Sequence, residues 1–156
     1  MDPRYIDTEA KITISIASDH AGFALKQVLI AHIRGIGHEV IDLGTHGADS
    51  VDYPDFAHSL AENIRNGASE KGVLVCGSGI GMSMAANRHP DIRAALIHDA
   101  LSAKMSRQHN DANVIVFGGR TIVNDLAADC LDTFLKTKFE GQRHARRVNK
   151  INPKNI

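Results

Sequence analysis

The stretch that decides how this chain folds is Gly72–Gly81, which reads GVLVCGSGIG. An apolar run, Val73-Leu74-Val75, ends in Cys76, and glycines follow at alternate positions: Gly77, Gly79 and Gly81. A helical segment begins near Met82, so the pattern is a buried strand, a tight turn and a helix. Glycine there lets backbone N–H groups converge on an anion, and a helix start adds a favourable field. Two readings follow. The stretch is a reaction centre built around a thiol, or a strand-to-helix turn with an inert buried cysteine.

Working outward, the same alternation of strand and helix recurs on both sides. Upstream, Lys11–Ser18 (KITISIAS) reads as a strand ending at Asp19-His20-Ala21-Gly22. A helix follows with Phe23, Leu25, Val28, Leu29 and Ile33 on one broad face, stopped by Gly35 and Gly37. His38–Leu43 is a second strand, and a polar loop from His46 to Tyr53 leads through Pro54 into a second helix that ends at Asn66-Gly67. Downstream of the central turn, Arg93–His98 is a fourth strand, Asp99 to about His109 a helix, and Asn113–Phe117 a fifth strand ending in Gly118-Gly119-Arg120. A long helix carries Ile122, Val123, Leu126, Ala127, Cys130, Leu131 and Phe134 on its buried stripe, and EGQRHARRVNK from Glu140 forms a basic C-terminal helix. This order predicts an α/β, three-layer Rossmann-like domain: a five-stranded parallel sheet with helices on both faces. One domain is expected over residues 11–156, preceded by an arm at 1–10.

The totals narrow the classes. Lysine plus arginine and aspartate plus glutamate both number 18, so the net charge is zero with histidine neutral. That balance excludes a general nucleic-acid binder, which carries a basic excess. No apolar run approaches the roughly 20 residues of a membrane span. The first ten residues lack the apolar core of a signal peptide, so the expected location is cytoplasmic. Two cysteines make no disulfide framework, and the nine histidines form no HxxxH or HExxH pair, so no metal is expected.

In such a fold, ligands bind beyond the carboxyl ends of the strands. Those ends present Asp19-His20, Cys76 with its glycine turn, His98-Asp99, and Gly118-Gly119-Arg120. The turn is not a dinucleotide fingerprint, because its spacing is GxGxG and it follows the third strand. It suits an oxyanion better. Cys130 lies on an apolar helix stripe and reads as core. Cys76, at a strand end facing N–H groups, reads as a nucleophile or a general base, and the sequence leaves both open. Asp19 could instead cap the first helix, and His109-Asn110-Asp111 could be a helix end with Asn110 supplying the turn. His32, His38, His58 and His89 are placed on surfaces, and Arg120 is the best single candidate for a phosphate contact.

Several segments together resemble one family. SDHAGFALK, DYPDFA, CGSGIGMSMAAN, SRQHNDANVIVFGGR and EGQRHARRV, in that order from about Lys11 to Val148, are similar to the ribose-5-phosphate isomerase B family, which includes the subunits of galactose-6-phosphate isomerase. The resemblance implies an aldose–ketose isomerase of a phosphorylated sugar, with no metal or organic cofactor. It makes Cys76 the base that moves a proton between C1 and C2, with the backbone of Gly77, Gly79 and Gly81 holding the enediolate oxygen. Ser78 stands where the family usually has threonine and keeps the hydroxyl. His109 is implied as the ring-opening group, Asn110 as its neighbouring ligand, and Asp19 as the acid at the ring oxygen or hydroxyls. His20, Arg120, Arg143 and Arg147 match phosphate-holding positions, and Tyr53 lies in an active-site loop. The family also implies a homodimer or dimer of dimers in which the C-terminal helix completes the neighbour's pocket. Ribose 5-phosphate is the expected substrate. A six-carbon sugar phosphate such as allose or galactose 6-phosphate, or a non-catalytic phosphate- or nucleotide-binding module, are the alternatives.

Overall fold

The computed structural model describes residues 10–155. The arm expected at 1–10 lies outside the described residues except for its last position. Five strands, β1 (Thr13–Ser18), β2 (Glu39–Asp42), β3 (Lys71–Cys76), β4 (Ala94–Leu96) and β5 (Val114–Gly118), form one parallel sheet in the order β2-β1-β3-β5-β4. The helices are α1 (Phe23–Gly35), α2 (Tyr53–Arg65), α3 (Ile80–Ala86), α4 (Ala100–Gln108), α5 (Asn124–Lys136) and α6 (Arg143–Asn149).

Strand pleating sorts the apolar residues into two layers. Ile14, Ile16, Val73, Val75, Ile115 and Phe117 face one side and pack against α1, α4 and α5 through Leu29, Ala103, Leu131 and Phe134. Ala17, Leu74, Cys76, Val114 and Val116 face the other and meet α2 and α3 through Leu60, Ala61, Met82 and Ala86. The central strands are therefore buried on both faces, as a parallel sheet requires.

Several boundaries differ from the sequence expectation. The fourth strand shrinks to three residues because it is the sheet's edge, pairing with β5 alone. On its outer side the Asn87 amide takes the place of a neighbour: its Nδ2 donates to Ala94 O (2.9 Å), and its Oδ1 accepts from Ala94 N–H (2.8 Å). Helix α5 starts at Asn124, leaving Val123 69% exposed in the preceding turn, and Val28 points outward from α1. His38 is buried, not superficial, and its Nδ1 accepts the Ile12 N–H at 3.3 Å.

Lys26, on the inner face of α1, is fully buried and bonds Asp42 Oδ1 at 2.6 Å. Asp42 also accepts from Gly44 N–H, whose own carbonyl receives Ser18 N–H. This pair, with Lys26 buried and Asp42 half-buried, ties the end of β2 to the end of β1, beside Asp19. Burial opposes the charge on Asp42, but Lys26 and the Gly44 N–H outweigh it and hold the carboxyl below its ordinary range.

Candidate active site

Chain order runs from β1 to β2 on one side and to β3 on the other, so the topological switch lies between β1 and β3. Asp19 follows the first of these strands and Cys76 ends the other. An open cavity of roughly 640 Å³ lies there, lined by Asp19, Tyr53, Cys76, Gly77, Ser78, Ile80, Gly81, Met84, Arg120 and Thr121. That is where a doubly wound sheet is expected to take its ligand.

Cys76 is 5% exposed, and its Sγ accepts the Gly79 N–H at 3.1 Å. Gly79 can aim its N–H this way because it adopts φ +78, a left-handed conformation, at the N-cap of α3. One residue earlier, Ser78 Oγ accepts the Ile80 N–H at 3.2 Å, leaving its own proton free to donate. The loop after β5 is stitched onto this turn: Gly119 N–H donates to Cys76 O at 2.7 Å, and Arg120 N–H to Gly77 O at 3.0 Å. A methyl group on Gly77 would lie 3.3 Å from Arg120 Nη1, so the guanidinium lies directly over that peptide. Tyr53 lies closer still to Gly81, where a Cβ would fall 2.5 Å from the ring.

Asp19 is buried and its Oδ1 accepts Gly22 N–H at 3.0 Å, so it braces the turn before α1, whose N-cap is Gly22. His20 is held by Val51 N–H, which donates to its Nδ1 at 3.2 Å. Gly79 sits just below the cavity floor, against Leu96 and Phe117.

The remaining predicted residues are elsewhere. Helix α4 starts at its cap Asp99, beyond the carboxyl end of β4, and runs back along the sheet. His109 and Asn110 therefore emerge at the amino-end edge, opposite Cys76, just before β5 begins. Asn110 lines a separate cavity of about 280 Å³ with Arg93, Ser106 and Ile151 among others. The turn after α4 is made by Asp111 at φ +47, not by Asn110. Asp111 is gripped by Arg107 (2.9 Å) and Arg93 (3.3 Å), and buried Arg107 also donates to Ala112 O at 2.6 Å. Arg143 and Arg147 are exposed on α6, which packs beneath the same turn through His144.

One chain thus brings together Asp19, Tyr53, Cys76, Gly77, Ser78, Gly81 and Arg120, and separates them from His109, Asn110, Arg143 and Arg147. Sequence reasoning missed Ile80, Met84 and Thr121 at the cavity, and His144. The spacing of Ile80 and Met84 on one helix face was the available signal for the first two; nothing in the sequence marked His144. Among the described residues no helix is long and apolar enough to cross a membrane.

Comparison with known proteins agrees with this geometry. The family profile described as Ribose/Galactose Isomerase matches residues 14–151. Ribose-5-phosphate isomerase B of Escherichia coli is 43% identical over 138 residues, covering 88% of this chain and 93% of that protein. The crystal structure of a ribose 5-phosphate isomerase from Thermotoga maritima superposes with a TM-score of 0.90 at 47% identity, covering 91% of this chain and 98% of that one. Ribose-5-phosphate isomerase B from Clostridium thermocellum gives 0.88 at 50% identity, over 89% and 94% of the two chains. With its parallel sheet, its cysteine–glycine turn at the switch point and these relatives, the chain belongs to the ribose/galactose isomerase family.

Proposed function

We propose that the chain interconverts ribose 5-phosphate and ribulose 5-phosphate through a cis-enediolate. The observation that carries the reading is the Cys76 thiol at the switch point, facing a backbone N–H beneath an open cavity with Arg120 at its wall. Binding alone needs no thiol there, whereas proton transfer needs a base.

The steps distribute as follows. His109 donates a proton to the ring oxygen as its bond to C1 breaks, and Asp19 takes the proton of the C1 hydroxyl. The Cys76 thiolate then removes the proton on C2, and the electron pair moves onto the C1 carbonyl oxygen. N–H groups of the Gly77–Gly81 turn and the Ser78 hydroxyl stabilise that charge. A proton passes from O2 to O1, and the Cys76 thiol returns its proton to C1, leaving a C2 ketone. Arg120 and His20 hold the phosphate from one side, with Arg143 and Arg147 from the other.

Because one chain keeps His109 and Arg143 apart from Cys76, the reading requires a second copy to complete each site. Two exposed apolar pairs at helical spacing, Ile80 with Met84 on α3 and Leu101 with Met105 on α4, offer it a surface. We infer a homodimer, or a dimer of dimers, with a cytoplasmic role in the pentose phosphate pathway.

The test is steady-state kinetics on ribose 5-phosphate and allose 6-phosphate side by side, with and without EDTA. Ribose 5-phosphate should be preferred at least tenfold, a margin of about 1.4 kcal/mol in transition-state binding, and EDTA should change nothing. Cys76→Ala should lose about 10²–10⁴-fold in kcat. A folded Cys76→Ala protein turning over at the wild-type rate would remove the assigned base.

A further inference from the structure

The lead-in to α6 turns back sharply. Gly141 and Gln142 take φ +66 and +50, and Glu140 N–H donates to Gln108 O at 3.1 Å. This brings His144 beneath the end of α4, where its ring stacks on that of His109, with centroids 4.4 Å apart and 12° between the planes. His109 is half-buried, whereas the His144 side chain is only 8% exposed. Among the described residues His144 Nε2 is one of two buried side-chain polar atoms without a hydrogen-bond partner; Glu140 Oε2 lies 3.4 Å away. Burial, with Arg143 and His109 adding to it and Glu140 opposing, holds the His144 imidazole below its ordinary 6.5.

A buried ring nitrogen left unpaired is costly, and a bound cation is one way to satisfy it. The three ligand atoms of His109, Glu140 and His144 do lie within 4.8 Å of one another, the spacing of a cation site. Two features oppose that use. Near-parallel rings keep their nitrogen lone pairs in parallel planes and do not converge them on one point. Arg143 and Arg147 on the same helix add positive charge beside them.

Resting on the isomerase reading above, we propose that His144 is a positioning residue for His109. The buried ring serves as a platform that fixes the plane of the half-exposed one, so that the His109 N–H meets the sugar's ring oxygen in one orientation. His144 itself touches neither the reacting carbons nor the ring oxygen.

The chemistry supplies a test that separates ring opening from proton transfer. Ribose 5-phosphate is a cyclic hemiacetal and must be opened. Ribulose 5-phosphate carries its phosphate on O5 and stays open-chain, so exchange of its C1 proton with solvent needs Cys76 but not His109. In full-length His144→Ala, kcat on ribose 5-phosphate should fall about tenfold or more, with KM changed less than about threefold. Deuterium incorporation from D2O into ribulose 5-phosphate, read by NMR, should stay within about twofold of wild type. His144→Phe keeps a ring to stack on and should recover most of the isomerase rate; it also carries the test if the alanine variant does not fold. Exchange that falls in parallel with isomerisation would overturn the proposal, as would an unimpaired alanine variant or a phenylalanine variant no better than alanine. A wild-type protein inactive on ribose 5-phosphate would instead overturn the isomerase reading.

Discussion

Replacing Gly79 with alanine tests the link between backbone geometry and the thiol most directly. Gly79 sits at φ +78, and a left-handed non-glycine residue costs about 1–2 kcal/mol. The new Cβ would also lie 2.5 Å from Leu96 Cδ1 and 3.0 Å from the Phe117 carbonyl carbon. The Leu96 side chain can yield, but the Phe117 backbone belongs to β5, inside the sheet. Overpacking of that kind costs about 1–3 kcal/mol more. The lower conformational entropy of alanine in the unfolded chain offsets about 0.4–1 kcal/mol. A net loss of about 1–5 kcal/mol lowers Tm by about 2–20 °C for a domain of this size.

Gly37 supplies the control, because it has φ +95 but nothing within 4 Å of its Cβ position. Gly37→Ala should cost about 1 kcal/mol and about 2–4 °C, by strain alone. Activity should separate the two further. Displacing the Gly79 N–H from Cys76 Sγ should reduce kcat about a hundredfold, while Gly37→Ala leaves it unchanged. Thermal denaturation at fixed protein concentration and a coupled isomerase assay read both quantities. If Gly79→Ala loses no more Tm than Gly37→Ala and keeps its activity, the assigned contact between turn and thiol is wrong.

Other substitutions probe the surroundings. Gly81→Ala would push its methyl into the Tyr53 ring, but that ring is exposed enough to swing away, so Tm should change by less than about 4 °C while KM rises several-fold. Lys26→Met strips Asp42 of its buried partner and should cost about 3 kcal/mol in urea unfolding, with part recovered in Lys26→Met/Asp42→Asn. Asp42 titrates below its ordinary 3.8, so its contribution is present above that pH and lost as pH falls through the folded value; Lys26→Met should flatten this acid limb. His89 is held below 6.5 by burial and by His58 and Arg65, so the unfolded chain takes up its proton first. Its contribution is present above pH 6.5 and declines as pH falls through the folded value, and His89→Asn should make the urea midpoint less pH-dependent there.

The fold was legible because its strands are short apolar runs set between glycines and periodic helices. All five strands and six helices fall where those patterns put them. What was not legible depends on neighbours distant in sequence. The place of β4 at the edge, which shortened it, follows from strand order, and strand order leaves no periodicity. Lys26 looked like an ordinary polar helix position, because its partner Asp42 arrives from another element. The site divides in the same way. Cys76, Ser78 and the glycines announce themselves in one segment, and Asp19 and Arg120 follow from the rule about strand ends. His109 could be recognised only by family likeness, because the helix that carries it ends at the far edge of the sheet from the thiol. His144 was invisible because its position depends on a left-handed turn at Gly141 and Gln142, which folds α6 under α4.

The Asn87 amide at the outer edge of β4 has a consequence for how the protein behaves when crowded. A parallel sheet ends in a row of unmatched peptide groups, and such a row invites a strand from another molecule. By occupying both backbone groups of Ala94, the first residue of a strand of three, Asn87 removes one of the few anchors that an incoming segment would need. The sheet cannot grow to a sixth strand at that rung without first expelling the amide. A single side chain thereby blocks strand addition at that rung of the β4 edge.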